Sequence, residues 1–371
     1  MSVLGILQRR RLLKVGVTTL VAATLIGTTV LTLDSSATAA STGGIAALRI
    51  GVPSGHHPHL FRQQPTSRQR IGQLWRPAAA TPLGYKTGGV VMAAPTHLYA
   101  IFWEPSKLQD GRAVAVSNGY NALLERYLSD VGGHSIYNND TQYFETLNGV
   151  TSYIQNASTL AGFVVDTTPY PKADCTDPVY PAKDCVSDAA IQAEIKKEAG
   201  AKGWKTGITN IFFVFTTTGE GSCQAKGDHT AANCFAPGGY CAYHNFFSAN
   251  GTVGDSYIYA NMPYAGDAAK GCGILASNGN PVSPNKNVPA DVEISVTSHE
   301  NMESVTDPFP GTSLWAWHDS SGAEIGDKCA ANPGPGPYWL NNMATEMWNG
   351  HFYVMQSEFD NHVLGCVAVG P

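Results

Sequence analysis

Charged residues are scarce in this chain. Only 14% of its 371 residues are Asp, Glu, Lys or Arg, whereas it contains 39 glycines and 22 prolines. This composition is unlike that of a charge-rich helical protein and favours a loop-rich extracellular one. The sequence also lacks a G-x-S-x-G turn, which would present a serine nucleophile, and a glycine-rich loop that opens a helix and cradles phosphate. These absences argue against a serine hydrolase and against a phosphate-binding enzyme.

Basic residues are too few in the main part of the chain for nucleic-acid binding, which requires clustered lysine and arginine. From residue 86 to the end, acidic residues clearly outnumber basic ones. Residues 40–87 differ, because they are rich in Pro, Gly and Arg and contain no acid. We interpret them as a linker in which His56, His57 and His59 are polar filler. The alternative is a pro-region that docks on the acidic remainder.

The first 39 residues have the pattern of an export signal. A basic start (residues 9–14) precedes an apolar stretch (residues 15–33), and Ala37–Ala39 offers a small-residue cleavage site. The run RRRLLK fits both an ordinary secretory signal and a twin-arginine signal, so the export route stays open. We therefore predict a secreted, extracellular protein with no stable membrane span once the signal has been cleaved.

All eight cysteines lie downstream of the predicted signal. An even number in an exported chain indicates disulfides. The paired C-x-x-C spacing of a structural zinc site is absent from the sequence. Eight cysteines allow many pairings, and we predict only two of the bridges, Cys175–Cys185 and Cys329–Cys366.

Hydrophobic periodicity predicts a single α+β domain from residue 88 to 371. Continuous apolar runs indicate strands that are buried on both faces, and apolar residues spaced i, i+3 and i+4 indicate helices. We expect these elements to form a layered sheet-and-helix domain. The predicted strands are residues 97–103, 211–216 and 257–260, and the predicted helices begin at Tyr120, Asp188 and Val288.

The last of these helices carries SHENMESVTDP, residues 298–308. This sequence is similar to the H-E-x-x-H motif of zinc proteases, with Glu303 in place of the second histidine. Residues four apart share a helix face, so His299 and Glu303 can reach one ion, and a carboxylate is an acceptable zinc ligand. Glu300 would lie beside the ion and act as general base, while the added negative charge also allows Mn or Ca. The alternative is a structural helix with a hydrogen-bonded histidine and two solvated glutamates.

A metal centre needs more ligands than this helix supplies. Glu324 and Asp327 lie in GAEIGDKC, residues 322–329, where an acid beyond the helix would serve as a late third ligand. The same EIGD sequence is also compatible with a simple turn held by a disulfide. The weaker candidates are Asp307 at the helix end and two histidines that also suit a core or rim position, His244 and His318.

Several stretches together carry a resemblance: SHENMESVTDP, WAWHDSSGAEIGDKC, NGHFYVMQSEFDNHVLGC and, before them, GYCAYHNFF. They resemble the exordium-like, or phosphate-induced, family of secreted proteins. The family pattern is similar to H-E-x-x-E, Asn or Asp before Pro, an aromatic turn, E-I-x-D-x-C and a final strand ending in Cys. The likeness extends from residue 88 to the end and is dense after residue 234. It implies export and a setting at the cell wall. It also implies a recurring residue set: His299, Glu300, Glu303, Glu324 and Asp327.

The residues and the resemblance together predict a secreted metal-binding protein. The first hypothesis is a zinc-dependent hydrolase of the peptidase type, or one using another divalent metal, with Glu300 as general base. The second is a non-catalytic extracellular protein on a zincin-like frame that binds cell-wall polysaccharide. Its 7 tryptophans and 16 tyrosines would suit sugar stacking, although aromatic rings more often fill a core. The expected partner is accordingly a peptide or a cell-wall polysaccharide.

Overall fold

A computed structural model of the chain describes residues 42–54, 56, 58–62, 81–330 and 344–371. The predicted export signal lies outside these residues, as do His57 and residues 63–80 of the predicted linker. Within the described ranges, none of the helices has both the length and the hydrophobicity that crossing a membrane requires.

The described residues form helices and strands, which we number in chain order. The α-helices are α1 (Thr42–Ala46), α2 (Tyr120–Asp130), α3 (Ser135–Asn138), α4 (Asp188–Lys202), α5 (Ala269–Cys272) and α6 (Val288–Thr306). The first eight strands are β1 (His59–Arg62), β2 (Gly84–Tyr85), β3 (Thr96–Trp103), β4 (Phe144–Leu147), β5 (Val150–Tyr153), β6 (Ser158–Asp166), β7 (Cys185–Ser187) and β8 (Asn210–Phe215). The others are β9 (Gly221–Cys223), β10 (Tyr240–Ser248), β11 (Ser256–Met262), β12 (Trp317–His318), β13 (Glu346–Trp348), β14 (His351–Tyr353), β15 (Glu358–Asp360) and β16 (Gly365–Val367).

A six-stranded sheet lies at the centre of the described structure, in the order β1-β10-β11-β8-β3-β6. The last four strands of that order pair in parallel, whereas β10 and β1 are added antiparallel. Parallel neighbours require crossover connections, and α2 and α4 lie in the connections that lead from β3 to β6 and from β6 to β8. The central strand β8 is buried at every residue, which explains why its sequence is a continuous apolar run.

Helices cover both faces of this sheet. Tyr243 and His244 are neighbours on β10 and therefore point to opposite faces. His244 Nδ1 lies 3.2 Å from Glu300 Oε2 of α6, whereas the Tyr243 hydroxyl donates to Asp188 Oδ1 of α4 at 2.9 Å. The sheet thus lies between α4 and α6, which confirms the prediction of layered helices and sheet.

Helix α6 agrees with its predicted start and end. The Asn287 side chain accepts a hydrogen bond from Ala290 N at the start, and Asp307 follows the last helical residue. The sequence predicted one buried face, but every residue from 290 to 306 is buried. The alternative of two solvated glutamates is therefore wrong, because Glu300 and Glu303 are wholly inaccessible to solvent.

The eight cysteines form four disulfides. Two of these are the predicted bridges, Cys175–Cys185 and Cys329–Cys366. The two that sequence spacing did not identify are Cys223–Cys234 and Cys241–Cys272. Four bridges agree with an oxidising, extracellular environment.

Strand β1 belongs to the stretch that we interpreted as a linker. Its register on β10 pairs His59 with His244, Leu60 with Tyr243 and Phe61 with Ala242. Residues 59–62 are therefore part of the sheet rather than a solvated linker. A run of four residues is too short for hydrophobic periodicity to reveal it.

Candidate metal centre

Four side chains from separate elements converge beside α6. They are His59 of β1, His244 of β10, Glu303 of α6 and Glu324, which follows β12. One nitrogen or oxygen from each lies within 4.8 Å of the corresponding atoms of the other three. Imidazole nitrogens and carboxylate oxygens are both zinc ligands, so these residues form a candidate donor set.

The orientation of the two imidazoles is fixed by backbone carbonyls. His59 Nε2 donates to Gly322 O at 3.0 Å, and His244 Nε2 donates to Asp307 O at 3.2 Å. A carbonyl oxygen accepts only, so each Nε2 carries a proton, and metal binding at Nδ1 requires that nitrogen to be deprotonated. Metal-binding histidines usually use one ring nitrogen in this way and present the other to the ion.

The Nδ1 atoms of both histidines face the same carboxylate oxygen. Glu303 Oε2 lies 3.5 Å from each Nδ1, and Glu324 Oε2 lies 3.2 Å from the Nδ1 of His59. Ligand atoms arranged tetrahedrally around zinc are about 3.3–3.6 Å apart, given bonds of about 2.0–2.2 Å. These three separations are close to those between ligands of a tetrahedral ion.

Three of these donor atoms have no hydrogen-bond partner in the part of the chain that the structure describes. Among the described residues, His59 Nδ1, Glu303 Oε2 and Glu324 Oε2 are buried and have no hydrogen-bond partner. Each unpaired buried polar atom is costly. A cation among them would satisfy all three at once, so the residues present fit a divalent metal.

The predicted helix residues form a second set that shares Glu303. His299 Nε2 lies 3.0 Å from Glu303 Oε1 and 3.9 Å from Asp327 Oδ1, and these three residues also lie within ligand distance of one another. Asp327 N donates to Glu303 Oε1 at 3.0 Å. The two oxygens of Glu303 thus face different donor sets, and Glu303 is the residue common to both.

Close packing brings His299 to this position. The Phe61 ring stacks on the His299 ring with centroids 4.0 Å apart. On another side, a Cβ at Gly326 would lie 2.5 Å from His299 Nδ1, which is much closer than atoms in contact approach. Position 326 therefore requires glycine for the backbone to come this close to His299.

The predicted general base, Glu300, lies next to His244. Its Oε2 is 3.2 Å from His244 Nδ1, and its Oε1 has no hydrogen-bond partner within the described part of the chain. Burial raises the pKa of Glu300 well above its usual value, and the Glu303 carboxylate raises it further. A buried carboxyl group with a raised pKa is a candidate for proton transfer.

The pKa values of the other acids diverge. Burial raises the pKa of Glu324 and of Asp327. Burial would also raise the pKa of Glu303, but the neighbouring imidazoles of His299, His244 and His59 hold it well below its usual value. For His59, the Asp327 and Glu303 carboxylates outweigh burial and raise the pKa to about 9. The cluster therefore retains protons that a cation would replace.

Two weaker candidates have structural roles. The Asp307 carboxylate accepts hydrogen bonds from Ala316 N and Trp317 N at 2.9 and 2.6 Å, so it holds the chain that follows α6. His318 stacks on Trp315 with ring centroids 3.8 Å apart and belongs to neither donor set. Trp315 itself donates to Glu324 Oε1 at 2.6 Å, so His318 acts on the centre only through this tryptophan.

Sequence reasoning set aside His59, which could in principle touch a metal but was interpreted as polar filler, and it missed Phe61. The signal available was the alternation in HLFR, which on a strand places His59 and Phe61 on one face. Of the predicted site residues, the structure brings together His299, Glu300, Glu303, Glu324, Asp327 and His244.

The fold and this cluster define a disulfide-containing, layered sheet-and-helix protein with a candidate carboxylate–imidazole metal centre. Comparison with known proteins adds no family, since no protein-family model, curated protein or solved structure matches the chain. The resemblance to exordium-like proteins therefore stays a prediction.

Proposed function

We propose that this chain is a secreted metal-dependent hydrolase of the peptidase type, with zinc as the first candidate ion. One observation carries the proposal: His59, His244, Glu303 and Glu324 each bring one nitrogen or carboxylate oxygen to within 4.8 Å of the corresponding atoms of the other three. The resemblance to exordium-like proteins supports export and adds a cell-wall setting to the proposal.

The residues around the centre have distinct tasks in this proposal. When bound, the ion would act as a Lewis acid towards a substrate carbonyl. Glu300 would take a proton from the attacking water at its free Oε1 and return it to the leaving amine. His244 is oriented for binding by its hydrogen bond to Asp307 O. The indole of Trp315 holds Glu324 through Oε1 and leaves Oε2 directed at the two histidines.

Metal content tests the first half of the proposal. We expect purified protein to retain about one equivalent of zinc by mass spectrometry, because the donor set is tetrahedral. Glu303→Gln should lose most of that metal, since Glu303 belongs to both donor sets. Glu293→Gln is the matched control: Glu293 is also buried on α6, but it accepts hydrogen bonds from Tyr120 and Ala265 N instead. Equal zinc in both variants, or zinc in none after reconstitution, contradicts the proposed centre.

Peptide hydrolysis tests the second half. Glu300→Gln keeps the shape of the side chain but removes the proton acceptor, so we expect it to lower kcat by about 100-fold or more while zinc is retained. Unchanged kcat would refute Glu300 as general base. Zinc binding without hydrolysis of any peptide, either by the full chain or by protein from which residues 59–62 have been removed, would instead favour the non-catalytic, polysaccharide-binding alternative.

A further inference from the structure

The metal cluster is covered by the N-terminal segment of its own chain. His299, Glu300, Glu303, Glu324 and His244 have no solvent-exposed side-chain surface, whereas His59 and Asp327 are 18% and 19% exposed. A cleft of about 490 Å³ lies outside these two residues and is lined by both of them. Solvent in this cleft therefore meets His59 of β1 before it meets the other histidines of the cluster.

Strand β1 makes two kinds of contact with the site. Its backbone pairs antiparallel with β10, and its register places His59 directly opposite His244. Residues opposite each other in this way project side by side from the sheet, and the two ring centroids are 5.7 Å apart. Phe61, two residues later, projects on the same face and stacks on His299.

His59 completes the four-donor set. With His59 in place, two imidazoles and two carboxylates surround the candidate ion position, which is the closed coordination typical of structural zinc. Without His59, the set consists of His244, Glu303 and Glu324. Three protein ligands and an open position are typical of catalytic zinc.

The edge of β10 is otherwise suited to an extended peptide. Within the described residues, β1 pairs four residues with this edge, and an added strand binds mainly through main-chain hydrogen bonds. The segment before β1 is held by hydrogen bonds and by core packing: Ile50 N donates to Gly251 O at 3.0 Å, Gly51 N donates to Ser313 Oγ at 2.9 Å, and the Ile50 side chain is buried in the core. Exchange of β1 for another strand therefore requires these contacts to be released first.

We propose that residues 59–62 are an inhibitory strand that occupies the substrate position on β10. Its release would open one coordination position and expose the edge of β10 to an extended polypeptide, which would bind antiparallel. The substrate would carry an aromatic side chain where Phe61 now stacks on His299. This inference rests on the proposed function for its catalytic part, whereas strand exchange on β10 is independent of it.

Controlled cleavage tests the inference in the full chain. A specific protease site is inserted between residues 72 and 73, outside the described residues, and the N-terminal fragment is separated after cleavage. The probes are a labelled peptide of residues 56–62 (HHPHLFR) and the same peptide with His59→Ala. The readouts are peptide binding by fluorescence anisotropy, zinc removal by a chelating dye, and hydrolysis of unrelated peptides.

We expect the cleaved protein, unlike the intact one, to bind HHPHLFR and to lose zinc to the chelator at least tenfold faster. With zinc bound, the His59→Ala peptide should bind at least tenfold more weakly, and HHPHLFR should inhibit hydrolysis. Equal zinc removal from intact and cleaved protein, or equal binding of the two peptides to zinc-loaded protein, overturns the inference.

If the cleaved fragment remains bound, two variants of the intact chain still test the inference. His59→Ala should increase chelator access at least tenfold. His56→Ala should not, because His56 contacts Asn245 Oδ1 at 3.0 Å and not the cluster. Equal effects of the two variants would overturn the role of His59.

The outcomes separate this inference from the proposed function. Zinc binding without hydrolysis in any form would remove the hydrolase assignment but leave the inhibitory strand to be decided by chelator access and peptide binding. If no form binds zinc, the proposed centre and the role of His59 as a ligand both fail. Anisotropy then still shows whether β10 accepts an added strand.

Discussion

Replacement of Gly326 by alanine tests the packing on which the candidate centre depends. A Cβ at this position would lie 2.5 Å from His299 Nδ1, 2.7 Å from its Cε1 and 3.0 Å from Glu303 Oε1. Non-bonded atoms in good contact are about 3.5–4.0 Å apart, so the first of these distances is about 1 Å too short. Either His299 or the backbone at residue 326 must therefore move.

Both movements cost free energy. The His299 ring is fully buried and is held on another side by Phe61, with ring centroids 4.0 Å apart. The backbone is held because Gly326 O accepts from Gln356 Nε2 and from Cys329 N, both at 2.9 Å. Overpacking of this kind usually costs about 1–3 kcal/mol, so we expect Gly326→Ala to lower the free energy of unfolding by that amount.

Urea unfolding measures this loss, with Gly200→Ala as the control. Gly200 lies in α4, and a Cβ there would meet nothing within 4 Å. Alanine should therefore stabilise the helix by about 0.5–1 kcal/mol. The two substitutions add the same methyl group and are expected to act with opposite sign. A stability of Gly326→Ala equal to that of wild type would refute the close packing around His299.

Two further predictions concern stability alone. Burial raises the pKa of Asp140 well above its usual value, so the stability that this group contributes is complete below about pH 4 and is lost as the pH rises. The free energy of unfolding of Asp140→Asn, relative to that of wild type, should accordingly increase between pH 4 and pH 8 in urea unfolding. A difference between the two proteins that does not change with pH would contradict this reasoning. The Cys329–Cys366 bridge closes a loop with a sequence separation of 37, and the chain-entropy model assigns about 4 kcal/mol to a loop of this length. Replacing both cysteines with serine should lower the free energy of unfolding by roughly that amount, and a loss below about 1 kcal/mol would show that the unfolded chain is not restrained by this bridge.

Local signals in the sequence were sufficient for the main elements. The apolar run of residues 97–103 became β3, and the ends of α6 were predicted from Pro289 and from Asp307 before Pro308. These signals act within one or two turns of the chain, because they depend on backbone sterics and on which faces are buried. The spacing of His299 and Glu303 belongs to the same category, since a helix alone brings residues four apart together.

The rest of the candidate centre depends on contacts between residues far apart in the chain. His59 reaches Glu303 only because β1 pairs with β10 in one register, and a shift by one residue would turn His59 and Phe61 to the other face. In the sequence, Gly326 looks like an ordinary turn glycine, and only the structure shows that His299 lies against it. The sequence by itself therefore determined the helix, its His–Glu pair and two of the disulfides. Only the tertiary structure decided which distant side chains complete the cluster, because strand register and close packing are properties of the folded chain.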